Sequence, residues 1–361
     1  MNSKVVTRFG VAALLFGNRR GMTARGGAMK PFNSSRFYSK IYYVALFAGL
    51  VIPQMAQAQW EAIVGAQNHT KSRQAQGFFP NELWIHAGDT VSWTFDSDTD
   101  HTLTFLKTSP PPQVRPPAVV GCPGPTVDGS SFDGTACVNS GSLVKGKTYS
   151  VTFPTVGNYK LVCLVHANMT GVVHVLPLSD ALPHHQGFYD EQAEDQVKDL
   201  LLHQDEDASR DADSSKLSVT AGSGEIVATG GGSSTLSVMR FMSHDIVIHA
   251  GQTVEWTNTD PVTAHTITFG PEPLNLIPPS SNVTLDEDLA RHATINAPTD
   301  VVHSGFIVAQ PQDRIGLVQS PLAPLGTVTR FRVTFTHAGV FPYICALHDG
   351  LGMKGQVTVL P

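Results

Sequence analysis

Apolar and polar residues alternate in short bursts along most of the chain. Leu83-Trp84-Ile85, Thr90 to Phe95 and Thr148 to Phe153 combine that alternation with β-branched and aromatic side chains, the signature of half-buried strands. Ala87-Gly88-Asp89, Thr155-Val156-Gly157, Ala250-Gly251-Gln252 and His337-Ala338-Gly339 punctuate them as turns. The blocks recur in the same order. FFPNELWIHAGDTVSWTFDSDTDHTLTF at 78–105 is echoed by FMSHDIVIHAGQTVEWTNTDPVTAHTITF at 241–269. YSVTFPTVGNYKLVCLVHANMTGVVHVLP at 149–177 is echoed by FRVTFTHAGVFPYICALHDGLGMKGQVTVLP at 331–361. A duplication of short-stranded sandwiches is predicted, an all-β chain with domains at 59–177 and 216–361. Each repeat carries a long insertion between its blocks, at about 108–138 and about 271–324, and loops of that length are functional or mobile.

Residues 178–215 break the pattern. From Asp180 to Asp213 there are 11 acids against Lys198 and Arg210. A short helix is compatible with Ala193, Val197, Leu200 and Leu201, but the charge predicts a solvated acidic linker. Composition agrees with β architecture: 15% charged residues, with 32 Gly and 24 Pro, leave little for long charged helices. The net charge of −6 conceals an asymmetry. Residues 1–58 hold eight Lys/Arg and no acid, so 59–361 carry 16 basic against 30 acidic residues. An acidic body excludes nucleic acid as the expected partner. Ile41 to Ile52 is an uncharged apolar run behind Arg36 and Lys40, followed by Ala56-Gln57-Ala58. That order predicts a signal peptide with an extended N-terminal region over 1–58, cleaved before Gln59. Met22 or Met29 offers a later start, and the alternative is a membrane anchor, through which alone the chain would touch a bilayer. Export places the protein in the periplasm or outside the cell, where disulfides persist. Cys122 and Cys137, 15 residues apart in a Gly/Pro-rich stretch, are expected to pair, with metal ligation as the alternative.

The other two cysteines carry chemistry. His101 opens HTLTF and is followed later by Cys163-x-x-His166-x-x-Met169. His265 opens HTITF and is followed by Cys345-x-x-His348-x4-Met353. Two imidazoles, a thiolate and a thioether thus recur in order. Thiolate and thioether suit Cu(I), imidazole suits Cu(II) as well, and a fixed His2Cys plane with a weak axial Met tolerates both.

On these residues the chain resembles the cupredoxins, in particular the plastocyanin group of type 1 blue-copper proteins. GVFPYICALHDGLGMKGQVTV is similar to a plastocyanin ligand loop, and CLVHANM has the shorter spacing of amicyanin. The resemblance implies two tandem Greek-key sandwiches joined by the acidic linker. It implies one copper on His101, Cys163, His166 and Met169, and a second on His265, Cys345, His348 and Met353. Val165 and Leu347 stand where the family loop commonly has Pro, so a backbone N–H returns that can donate towards the thiolate. Thr102 and Thr266 follow the first His, where plastocyanins often carry another residue.

The implied function is transfer of single electrons between unidentified redox protein partners. His166 and His348 are the expected solvent-facing exits, with Leu164, Leu347 and Leu351 as a docking patch. A copper carrier or buffer would use the same ligands. A two-domain copper oxidase or reductase would need histidines flanking the Cys, but Val162 and Leu164 flank one, Ile344 and Ala346 the other, and no His-x-His occurs. Of the remaining histidines, His86 and His249 hold the same turn position in both repeats and are expected to be structural. His184-His185 lack an evident partner, and His174, His292, His303 and His337 lack ligand-type companions.

Overall fold

The computed structural model describes residues 58–108, 122, 124–202, 217–309 and 327–361. The segment before Ala58 expected to direct export, parts of both insertions and the acidic stretch 203–216 lie outside the described residues.

Both repeats fold as β sandwiches within one compact unit, Met55–Pro361. The first contains β1 (Gln59–Gln67), β2 (Arg73–Phe79), β3 (Glu82–His86), β4 (Thr90–Phe95), β5 (Thr104–Phe105), β6 (Ser130–Ser131), β7 (Val138–Asn139), β8 (Thr148–Thr152), β9 (Gly157–Val162) and β10 (Thr170–Leu176). One of its layers runs β2-β1-β4-β8-β6 and the other β3-β10-β9-β5-β7. The second contains β11 (Ser218–Ala228), β12 (Ser233–Met242), β13 (Asp245–His249), β14 (Thr253–Thr259), β15 (Thr268–Phe269), β16 (Thr284–Leu285), β17 (Arg291–Ile295), β18 (Val302–His303), β19 (Arg330–Phe335), β20 (Gly339–Ile344) and β21 (Lys354–Leu360). Its layers run β12-β11-β14-β19-β17-β16 and β13-β21-β20-β15-β18, the same plan again.

The alternating strands bury one face each. Val91, Trp93 and Phe95 of β4 point inward, as do Val254 and Trp256 of β14. Trp93 packs 5.9 Å from Phe105, and Trp256 lies 5.9 Å from Phe269. Each such fully buried side chain contributes roughly 1.5–3 kcal/mol, so the aromatic layer anchors both sandwiches. Cys122 and Cys137 form the disulfide, with Cα atoms 5.2 Å apart; metal ligation by this pair drops out.

The two sandwiches are continuous. β2 pairs antiparallel with β12, Ala75 opposite Leu236 and Gln76 opposite Thr235. Two edge strands that would otherwise expose unpaired N–H and C=O groups satisfy one another. Between the domains, the expectation of a solvated linker is corrected over 186–202. There α1 (Gln186–Leu202) buries Tyr189 in the first domain's core, and Ala193 and Leu200 in a cluster that joins Phe79 of β2 to Leu236 of β12. The Trp84 N–H donates to Tyr189 Oη at 2.9 Å, and the Trp60 ring meets Tyr189 edge-on at 5.7 Å. The helical spacing of these few apolar residues outweighs their acidic neighbours, which stay on the wet face. No helix among the described residues is long and apolar enough to cross a membrane.

Candidate metal centres

Each ligand set is assembled where two core strands end side by side. Thr104 pairs with Val162, and Thr268 with Ile344, so β5 lies beside β9 and β15 beside β20. Cys163 and Cys345 are the next residues after β9 and β20. His101 and His265 precede β5 and β15, held by reciprocal backbone bonds to Leu143 and Ile307 at 2.8–3.0 Å. The following turn brings His166 and His348 back over the same end of the sandwich.

The donor atoms converge. His101 Nδ1 and His166 Nδ1 are 3.1 Å apart, and Cys163 Sγ is 3.8 Å from His166 Nδ1. In the second domain His265 Nδ1 and His348 Nδ1 are 3.2 Å apart, with Cys345 Sγ 3.4 Å from His348 Nδ1 and 3.8 Å from His265 Nδ1. All donors of a cluster lie within 4.8 Å of one another. An ion about 2.0–2.3 Å from nitrogen and sulfur donors requires this spacing. Two clusters, one per domain, are therefore fitted to two copper ions, and the soft sulfur with two imidazoles is a copper donor set. Met169 and Met353 are buried beside them, their carbonyls accepting from the Cys163 and Cys345 N–H at 3.0 Å.

Burial sets the protonation. It pushes His101 and His265 well below 6.5, His166 to about 3 and His348 to about 4, so all four imidazoles are neutral and able to donate lone pairs. Burial raises both thiols, and backbone N–H groups oppose it. Thr102 N and Thr266 N each donate to sulfur at 3.4 Å. N–H groups at Val165 and Leu347 add to this, as the missing prolines imply. The threonine hydroxyls have a second use. Thr102 Oγ1 accepts from Leu164 N at 2.7 Å and Thr266 Oγ1 from Ala346 N at 2.8 Å, fastening the loop after each cysteine.

A family model for copper-binding proteins, the plastocyanin/azurin family, matches residues 66–176 and 225–360. The chain belongs to the plastocyanin/azurin family of copper-binding proteins. Among solved structures, oxidised plastocyanin from Dryopteris crassirhizoma is 18% identical, covering 40% of this chain and 99% of that one, with a TM-score of 0.21. Amicyanin from Paracoccus versutus is 20% identical over 34% and 86%, with a TM-score of 0.22. A purple cupredoxin from Nitrosopumilus maritimus is 21% identical over 32% and 99%, with a TM-score of 0.21. No curated protein matches.

Within this plastocyanin/azurin-family chain, several supporting residues escape the motif. Gly65 and Gly222 sit at irregularities in β1 and β11 with φ of +65° and +77°. A Cβ on Gly65 would lie 2.6 Å from His101 Nε2, and one on Gly222 would overlap the His265 ring. Their missing side chains are the space the first histidine occupies. A glycine inside an alternating strand is the signal that marks them.

The far side of that histidine differs between domains. His101 Nε2 meets Ser97 Oγ at 2.8 Å and Thr99 Oγ1 at 3.1 Å. His265 Nε2 faces the buried Asp260 Oδ2 at 4.0 Å, and neither atom has a hydrogen-bond partner among the described residues. Burial raises the Asp260 carboxyl to about 7, although Val262 and Thr263 N–H groups each donate to its other oxygen at 2.9 Å.

The expected solvent-facing exits open onto a cleft, with His348 half-buried. His166 is only 8% exposed. With His348 it lines one cavity of about 510 Å³ between the domains, together with Val165, Leu347 and Leu351. Edge pairing of β2 and β12 turns the two ligand ends towards each other, so the apolar loop residues line a cleft instead of an outer face. Of the other histidines, His86 Nε2 bonds the Asp180 carbonyl at 2.8 Å and His249 Nδ1 the Pro361 carbonyl at 3.0 Å, both structural. His303 is buried between Thr268 and the Leu276 carbonyl, and His184 stacks on Phe188.

Proposed function

We propose that this chain is an exported carrier of single electrons with a type 1 copper in each domain. His101, Cys163, His166 and Met169 would hold one ion, and His265, Cys345, His348 and Met353 the other. The observation that carries this reading is the convergence of two imidazoles and a sulfur on one point in each domain, on donors fixed by core strands. Copper supplies the one-electron couple. The protein's residues hold the donors in place: reciprocal backbone bonds pin the first histidine, and Thr102 or Thr266 fastens the loop after the cysteine. Donors that stay put through a redox cycle keep reorganisation small. N–H groups aimed at sulfur stabilise the thiolate over the thiol.

Deep burial of His101, His265 and both cysteines supports electron transfer over copper delivery, since a cargo ion must leave quickly. Export is supported by the basic, apolar and small-residue order of 1–58. Greek-key connectivity is supported by the shared strand plan of the two domains.

Copper stoichiometry and visible absorption of wild type, Cys163→Ser and Cys345→Ser test the reading. Two coppers and an intense blue band are expected, with each variant losing one copper and about half the absorbance. Reconstituted protein that stays colourless and shows no reversible reduction refutes it.

A further inference from the structure

Both ligand loops close on the same cleft. His166 and Val165 form one wall, and His348, Leu347 and Val262 the other. The two walls are held in fixed relation. The β2–β12 ladder crosses the domain boundary. Arg240 Nη1 donates to the Leu351 carbonyl at 2.8 Å while its Nη2 donates to the Thr70 carbonyl at 3.3 Å, tying the second ligand loop to the first domain.

Strand β2 also reaches both centres. Gln74 and Gln76, two apart and so on one face of the strand, are fully buried. Thr99, whose hydroxyl contacts His101 Nε2, donates to Gln74 Oε1 at 3.5 Å. Gln76 Nε2 donates to Thr263 Oγ1 at 3.0 Å, two residues before His265. A single strand thus bonds to the loop before the first histidine of each centre.

We propose that the two centres exchange electrons within one chain, His166 and His348 forming the junction across the interdomain cleft. This rests on the carrier reading. One electron leaves the reduced centre and enters the oxidised centre of the same molecule, with no bond broken and no proton moved. The chain then works as a paired store for two electrons, and an external partner meets the pair at the mouth of the cleft.

The test uses the full chain loaded with copper in both domains. Photoreduced flavin delivers less than one electron per molecule, and the blue bands are followed in time. The spectra of Cys163→Ser and Cys345→Ser resolve the two contributions. Redistribution at a rate unchanged by dilution is expected in wild type, whereas a mixture of the two variants redistributes at a rate proportional to concentration. Pulsed dipolar EPR on oxidised wild type, which needs no variant, is expected to show coupling between two copper spins. Two-copper, blue protein that lacks this coupling and whose redistribution slows with dilution overturns the inference and leaves the carrier reading standing. Protein that never turns blue overturns the carrier reading, and the inference with it.

Discussion

The two domains grip their first histidine from behind in different ways. In the first, two neutral hydroxyls, Ser97 and Thr99, meet His101 Nε2. In the second, a buried carboxyl, Asp260, faces His265 Nε2. The loop that returns to methionine differs too. The first is tight, with Asn168 at φ +60°, and the second takes a short 3-10 turn over Asp349–Leu351 closed by Gly352. The inner donors nevertheless superpose in kind, with sulfur receiving the same N–H at 3.4 Å in both. The two domains share the converging donors and differ in the groups behind them, and outer groups of this kind alter redox energy without abolishing binding.

Removing the space behind the histidine is the harshest way to separate the centres. Gly222→Ala is expected to erase the blue band of the second domain and leave that of the first. Its strain is about 1–3 kcal/mol from the positive φ alone, before any clash with the imidazole. Gly65→Ala acts on the first centre, more mildly, because Ser97 Oγ, one of the atoms in the way, can rotate aside. Absorption and thermal melting of both variants measure the contrast; equal loss from both bands in either variant breaks it.

Acid distinguishes the histidines from Asp260 next. In metal-free protein the four imidazoles have folded-state values below 6.5. As pH falls through about 6.5 the unfolded chain takes up these protons and the folded chain does not, so stability falls. Asp260, raised to about 7 from 3.8, holds a proton in the folded state across that window and works in the opposite direction. Buried His303 is lowered too and acts with them, so five groups against one predict a lower melting temperature at about pH 5 than at about pH 7. In Asp260→Asn the drop is expected to be steeper, because the opposing proton is gone.

The mildest expected effect comes from making the outer groups alike. Asp260→Ser gives His265 a hydroxyl of the kind that serves His101, and the two midpoint potentials are expected to draw together. Spectroelectrochemistry of each band measures it, and an unmoved second potential removes Asp260 from the tuning set.

Much of the site was legible before any fold was known. Cys163 with His166 and Cys345 with His348 follow from residue type and spacing, because residues three apart in a turn are near neighbours, and His101 and His265 follow from the repeat that carries them in the same order. Thr102 and Thr266 were visible as departures, but their hydrogen bonds depend on β5 lying beside β9 and β15 beside β20. Gly65 and Gly222 precede the recognised repeat blocks, and nothing local says that a histidine 36 or 43 residues later will need their space. Tyr189 shows the same limit in α1, where charge count favoured a solvated stretch and one buried aromatic face prevailed.

Local order along the chain was enough for the duplication, the β character and the Cys-x-x-His part of each cluster, because period-two alternation and a three-residue spacing are written into neighbouring residues. The facing of the two centres and the cleft they share arise from pairing between strands more than 150 residues apart, Gln76 with Thr235 among them. Edge-to-edge pairing leaves no periodic trace in either strand, because an N–H and a C=O look the same in every residue and geometry selects which of them meet.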